Sequence, residues 1–186
     1  MDEAVPTALV GAARDGSPAA IETLLRLVWP HAFRIAFSIV RDRCIAEDAA
    51  QEACARAFAA IATLRSDPAF GVWFYRIVVR EAFAQNRNRD SCAPVGDVPP
   101  SASPFTSSVV RLDVLNALGK LSPRQRATVA LHYYARLNSF EIAGVLGIAD
   151  SSVRFHLACA RRRLEFLLEE HRGMPRERTI VPHASC

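Results

Sequence analysis

The run DSSVRFHLACARRRL, Asp150 to Leu164, carries four arginines, a serine near its start and a phenylalanine. On a helical wheel Val153, Leu157, Ala160 and Leu164 share one face. Ser151, Arg154, Phe155, Ala158 and Arg162 then point the other way, with Cys159 and Arg161 on the flanks. The outward set holds no acid. A guanidinium at Arg154 suits bidentate pairing with a guanine edge, Phe155 suits a thymine methyl, and Ser151 with the helix N-terminus suits a phosphate. Arg161, Arg162 and Arg163 lie two turns on, where backbone contact is the better match. The candidate duplex-contacting residues are therefore Ser151, Ser152, Arg154, Phe155, His156, Ala158, Arg161 and Arg162. His156, at the margin of the inner face, reads as a packing or phosphate-contacting group and not as a catalyst. The competing reading is an arginine-studded helix facing solvent.

The preceding residues decide between the two readings. Ser139 is placed to cap a short helix and Gly147 to end it in a left-handed conformation. Ala143 leaves room where two helices cross, and Val153 fills the gap between them. Together they describe a helix-turn-helix. Upstream, Ser122-Pro123-Arg124-Gln125 carries a capping-box pattern for a helix running to Tyr134, and RLDVLNALGKL reads as a short amphipathic helix.

The first half also has helical spacing. Ser17-Pro18 marks a helix start, followed by Ile21, Leu24, Leu25 and Val28, with Pro30 as a kink. Ile45, Ala49, Ala53, Ala57, Ile61 and Leu64 form a second stripe, with Glu47, Asp48, Gln51 and Glu52 on another face. After the polar break RSDPAF comes a third helix, apolar at Val72, Ile77 and Val78 and ending in arginines, which suits the helix macrodipole. Trp73 and Phe74 cannot both point fully inward. No run alternates long enough for a sheet, so the fold class is all-α, two small helical domains joined by an extended linker, the C-terminal one a helix-turn-helix. The expected boundaries are 1–90, a Pro/Ser-rich linker 91–110, 111–172, and a disordered tail 173–186.

Charge agrees with this division. Residues 1–90 carry 11 basic and 11 acidic side chains, whereas 111–186 carry 12 and 7, so the positive excess lies in the helix-turn-helix half. The five cysteines, Cys44, Cys54, Cys92, Cys159 and Cys186, have no zinc-type spacing, and an odd count suits a reducing compartment. The acidic N-terminus is unlike a secretory signal and no uninterrupted apolar run has bilayer length, which points to a cytoplasmic protein without membrane insertion. Without a Gly-rich phosphate loop, a metal cluster or a nucleophile with a paired base, neither an enzyme nor a cofactor is expected.

These segments resemble the extracytoplasmic-function (ECF) sigma factors of bacteria, promoter-specificity subunits of RNA polymerase in the sigma-70 family. In the first half the resemblance rests on AEDAAQEACARAF and FGVWFYRIVVREAFAQNRNR. In the second it rests on LSPRQRATVALHYYARLNSFEIAGVLGIADSSVRFHLACARRRL. It implies that Glu47, Asp48, Gln51 and Glu52 dock on the clamp helices of the polymerase's largest subunit, and that the beta flap of the core enzyme is a further contact. It further implies that Arg65, Ser66, Asp67, Phe70 and Trp73 surround an unstacked base of the minus-ten element. Arg76, Arg80, Asn86, Arg87 and Arg89 would track its phosphates. Trp73 remains open between DNA contact and core. The linker would thread the polymerase channels, and an anti-sigma factor is a further partner. The chain departs from the family pattern at Glu81, Gln85, Ala149 and Cys159, the last standing where an arginine is usual.

The function so implied is promoter recognition and transcription initiation with core RNA polymerase and promoter DNA as partners. One alternative is a helix-turn-helix regulator not stably bound to polymerase, which would need strands and phosphoacceptor carboxylates in its first half. Another is a sigma-factor mimic that sequesters an anti-sigma factor, which would lose the basic face.

Overall fold

A computed structural model describes residues 5–91 and 116–173, with side chains through 87 and 167 in the two parts. All regular elements among these residues are helical. The expected linker after Ser91, which ends a helix, the expected tail after Gly173, which ends another, and the start of the RLDVLNALGKL helix lie outside them; 116–119 form that last helix's final turn.

The first unit opens with α1, Thr7–Arg14, which the sequence reading does not anticipate because two turns offer little periodicity. Val10 and Ala13 bury it against α2, Pro18–Val40. Ser17 caps α2 by accepting from the Ala20 amide at 3.4 Å, with Pro18 in the first turn where its missing N–H costs nothing. The helix runs on through Pro30 and ends at Arg41, whose φ of 59° is left-handed. Of the described helices α2 is long and apolar enough to cross a membrane by composition. Glu22, Arg26 and Arg34 interrupt it, however, and its Leu24, Val28, Ile35, Ala36 and Ile39 are buried in the bundle.

Asp42 caps α3, Arg43–Ala60, by accepting from the Ile45 amide at 3.0 Å. Its inner face is almost all alanine: Ala46, Ala49, Ala50, Ala53 and Ala57 are buried, so α3 can approach its neighbours closely. Two 3₁₀ turns, Ile61–Thr63 and Asp67–Ala69, lead into α4, Phe70–Ser91. Here the expected stripe is corrected. Val72 and Ile77 are half-buried, and the core face is Phe70, Phe74, Tyr75, Val78, Val79 and Ala82. Phe74 is 2 % exposed and stacks on Phe70 at 5.6 Å. Of the adjacent pair it is Phe74 that turns inward, leaving Trp73 at the rim.

In the second unit Ser122 and Gln125 form the expected capping box at the start of α5, Pro123–Val129. The helix then widens into a π-helical stretch, Ala130–Tyr134. The next helix, α6, Ser139–Leu146, is capped by Asn138 and not by Ser139. Asn138 accepts from the Glu141 amide at 2.9 Å and its own amide donates to the Glu141 carboxylate at 2.8 Å. An Asn followed by Glu three residues on is a better box than Ser139 can make. Gly147, φ 64°, ends α6, and α7 spans Asp150–Gly173.

The two units pack against each other, and their buried residues form one continuous cluster. Polar bonds cross the seam. Arg126 donates to the Ile39 carbonyl at 2.6 Å, and Arg76 donates to the Gly144 carbonyl at 3.0 Å. The Tyr134 hydroxyl accepts from Arg34 at 3.0 Å and lies 2.9 Å from His31 Nδ1. Burial first, then nearby positive charge including Arg34, holds the His31 pKa below its usual value.

Replacing Phe74 by alanine should lower unfolding free energy by about 3–5 kcal/mol in urea titration, and Trp73→Ala by much less. Equal losses would contradict the inward assignment of Phe74.

Candidate nucleic-acid and polymerase interface

The helix-turn-helix is built from its apolar seam outward. Ile142 and Val145 of α6 and Val153, Leu157, Ala160 and Leu167 of α7 are buried, and the two helices bend by 104° across the turn. That packing fixes the rotation of α7. Ser151, Arg154, Phe155, Ala158, Arg161, Arg162 and Arg163 are all exposed, with Ser152, His156 and Cys159 half-buried at the edges. Phe155 is 65 % exposed, far more than a core side chain would be.

Two of these arginines have partners. Arg154 bonds to Asp150 one turn earlier, and the carboxyl of Asp150 is held below its usual value first by that bond and then by one from Ser139. The bond to Asp150 restrains the Arg154 side chain at the start of α7. Ala149, where the family pattern has a serine, leaves its carbonyl to accept from Ser152 at 3.0 Å and Val153 at 3.2 Å. Arg161 donates to the Tyr133 hydroxyl at 2.8 Å and lies 5.8 Å from the centre of that ring, so the π-helical stretch braces the middle of α7.

The residues assigned to the minus-ten element differ in exposure. Arg65, Ser66, Arg76, Arg80 and Arg87 are exposed; Trp73 and Asn86 are half-buried. Phe70 must be withdrawn from this set. It is 3 % exposed, stacked inside the core, and cannot wall a pocket for a base. Asp67 is engaged by Arg14 of α1 at 2.6 Å. The side chain of Arg89 lies outside the described residues.

Glu81 proves to be a core-facing group, 5 % exposed, bonded to Arg56 of α3 at 3.0 Å. Its charge is thereby turned away from the arginine-bearing surface of α4 and compensated.

On α3, Asp48 and Gln51 are exposed. Glu47 is half-buried and pairs with Arg43 at 2.9 Å, and Glu52, also half-buried, pairs with Arg56 at 2.6 Å. Pairs of this i, i+4 kind are weak, about 0.3–0.5 kcal/mol, and exchange readily for a partner's cations.

Sequence reasoning missed Arg14, Arg56, Arg126 and Tyr133, each of which holds a distant segment. Asn138 was legible from its spacing to Glu141; the others have no local signal, since their partners lie 53, 25, 87 and 28 residues away.

Family models match both halves, "Sigma-70 region 2" over residues 20–91 and "Sigma-70, region 4" over 111–164. The ECF RNA polymerase sigma factor SigM of Mycobacterium tuberculosis is 31% identical over 155 residues, 82% of this chain and 79% of SigM. The chain belongs to the ECF sigma factors. SigL of the same species is 29% identical over 168 residues, 83% of this chain and 94% of SigL. The fold agrees with that of sigma factor RpoE, solved with the anti-sigma factor NepR from Bartonella quintana: TM-score 0.68, 24% identity, 80% of this chain and 96% of RpoE. CnrH, solved with the cytosolic domain of CnrY, gives TM-score 0.67 at 22% identity, covering 88% and 97%.

As a sigma factor the protein binds core RNA polymerase, directs it to promoter DNA and starts transcription. Cys54 is 4 % exposed in the α3 seam, and burial pushes its pKa up to about 11. Cys44 is exposed at the start of α3. At pH 8 iodoacetamide should alkylate Cys44 in the folded protein and reach Cys54 only after unfolding, read by peptide mass spectrometry. Rapid native labelling of Cys54 would show that the α3 seam opens.

Proposed function

We propose that the outward face of α7 reads the minus-thirty-five duplex, with Arg154 and Phe155 at base edges, Ser151 at a phosphate and Arg161 to Arg163 along the backbone. The observation that carries this is the burial of Val153, Leu157 and Ala160, which leaves Ser151, Arg154, Phe155 and Ala158 exposed to solvent, with Ser152 and His156 at the edges. The exposed Arg65–Ser66 segment, the rim residue Trp73 and the arginines of α4 contact the melted minus-ten strand, and Asp48 with Gln51 leads the contact with polymerase. The protein acts by binding, not catalysis, in the cytoplasm where polymerase works. Residues 1–90 and 111–172 serve as the two recognition domains, and 91–110 joins them.

The test is run-off transcription with reconstituted holoenzyme on genomic DNA, followed by base substitution in the promoters recovered. Arg154→Ala should lose roughly 1–3 kcal/mol of discrimination at one minus-thirty-five position, while Arg162→Ala should weaken binding evenly and lower the salt slope by about 1. No position-specific change with Arg154→Ala would reject the base-reading assignment.

The packed arrangement is a closed one. Ser66, Val72 and Arg76 of the first unit and Phe140, Gly144 and Ile148 of the second line one open cleft of about 850 Å³. Elements centred about 25 base pairs apart are separated by ~85 Å of duplex. Two units sharing a cleft do not reach both, so promoter binding requires them to separate. The 24 residues from 92 to 115 can span at most about 86 Å when fully extended. An anti-sigma factor, such as the one bound to the Bartonella relative, would act by holding the closed form. Fluorophores at exposed Ala62 and Glu165 should lose energy transfer on holoenzyme assembly; unchanged transfer would refute the separation.

A further inference from the structure

We infer that Arg14, on the N-terminal helix, is a positioning residue for the minus-ten loop. It clamps Asp67 and so holds the Arg65–Ser66 segment in place for the melted strand, without touching DNA itself. The inference rests on the reading of residues 65–73 as the minus-ten contact.

Two independent features support it. The first is the ion pair: Arg14 Nη1 donates to Asp67 Oδ1 at 2.6 Å, with side chains 32 % and 20 % exposed, so solvent screens it less than an open surface pair. The second is the notch beneath it. Gly11 lies three residues before Arg14, hence on the same face of α1, and a Cβ there would stand 3.1 Å from Asp67 Oδ2. Helix α1 thus offers a gap for the carboxylate and a guanidinium to grip it, while Val10 and Ala13 anchor the helix in the core.

The loop needs such a grip. Asp67 opens the 3₁₀ turn Asp67–Ala69, closed by the Ala69 amide on the Ser66 carbonyl at 3.0 Å, and the turn runs into buried Phe70. Phe70 pins the far end. Leu64, 5 % exposed, pins the near end. Between them Arg65, Ser66, Pro68 and Ala69 are exposed, and Asp67 is the one residue of 65–69 that is half-buried. The clamp also pairs the loop's single acid, which would otherwise face phosphates with its charge uncompensated. Asp15 lies 3.8 Å from Arg14 Nε but is 75 % exposed, a weaker competitor than Asp67.

The test uses holoenzyme reconstituted from core polymerase and the full chain. Its template is a duplex promoter recovered by run-off sequencing, with each minus-ten and minus-thirty-five base substituted in turn. Arg14→Ala and Asp67→Ala should each reduce open-complex formation about tenfold. The double variant should be no worse than either, because both remove one pair. The loss should appear as flattened discrimination among minus-ten bases, with minus-thirty-five discrimination unchanged and Arg14→Lys partly restoring it. Gly11→Ala, favoured by helix propensity, should reproduce the minus-ten defect without lowering the melting temperature of the free protein. If Arg65→Ala and Asp67→Ala alter minus-ten discrimination and Arg14→Ala does not, the loop reading stands and the clamp is refuted. If Arg65→Ala and Asp67→Ala both discriminate like the wild type, the loop is not the reader and the inference falls with it. An Arg14→Ala defect that is uniform across all bases and follows the melting temperature would likewise overturn it.

Discussion

Burial of helix α2 is the constraint on which the rest depends. Its Leu24, Val28, Ala32, Ile35, Ala36 and Ile39 are removed from solvent, and it touches α1, α3, α4 and the start of the second unit. Apolar burial contributes about 25 cal/mol per Å², so a helix covered on several sides supplies a large share of the driving force. Every surface assigned to recognition is placed relative to that axis. Alanines let α3 lie close to it, which points Asp48 and Gln51 outward. Phe70, Phe74 and Val78 press α4 onto the same core, which turns Arg76 and Arg80 to the outside.

Arginine serves two purposes in this chain. Arg14, Arg56, Arg76 and Arg126 reach across the structure to a carboxylate or a backbone carbonyl, whereas Arg65, Arg80, Arg162 and Arg163 present charge to solvent. A guanidinium has five donors in a fixed plane and cannot shed its charge, so it can satisfy a carbonyl at a helix junction as well as bind a phosphate. Lysine would do the first task poorly.

Arg76 links the two purposes. Its expected place is along the minus-ten phosphates, yet in the closed arrangement it donates to Gly144 of the helix-turn-helix. On the proposed minus-ten reading the same side chain cannot do both at once, so the domain seam and the strand would compete for it.

Local pattern was enough for the all-helical class, the two-unit order and the outward face of α7, because a 3.6-residue period and a capping box act within a few residues of sequence. Val153, Leu157 and Ala160 declare the inner side of the helix wherever the helix ends up. The cap at Asn138 is equally local, since its partner Glu141 lies three residues on. Other decisions belonged to tertiary structure alone. Which of Trp73 and Phe74 is buried, that Phe70 is core, that Glu81 is compensated by Arg56, and that Asp67 is held by Arg14 all depend on partners tens of residues away. A helical wheel fixes relative directions around one axis; only packing against the other helices sets the absolute rotation and supplies the opposite charge.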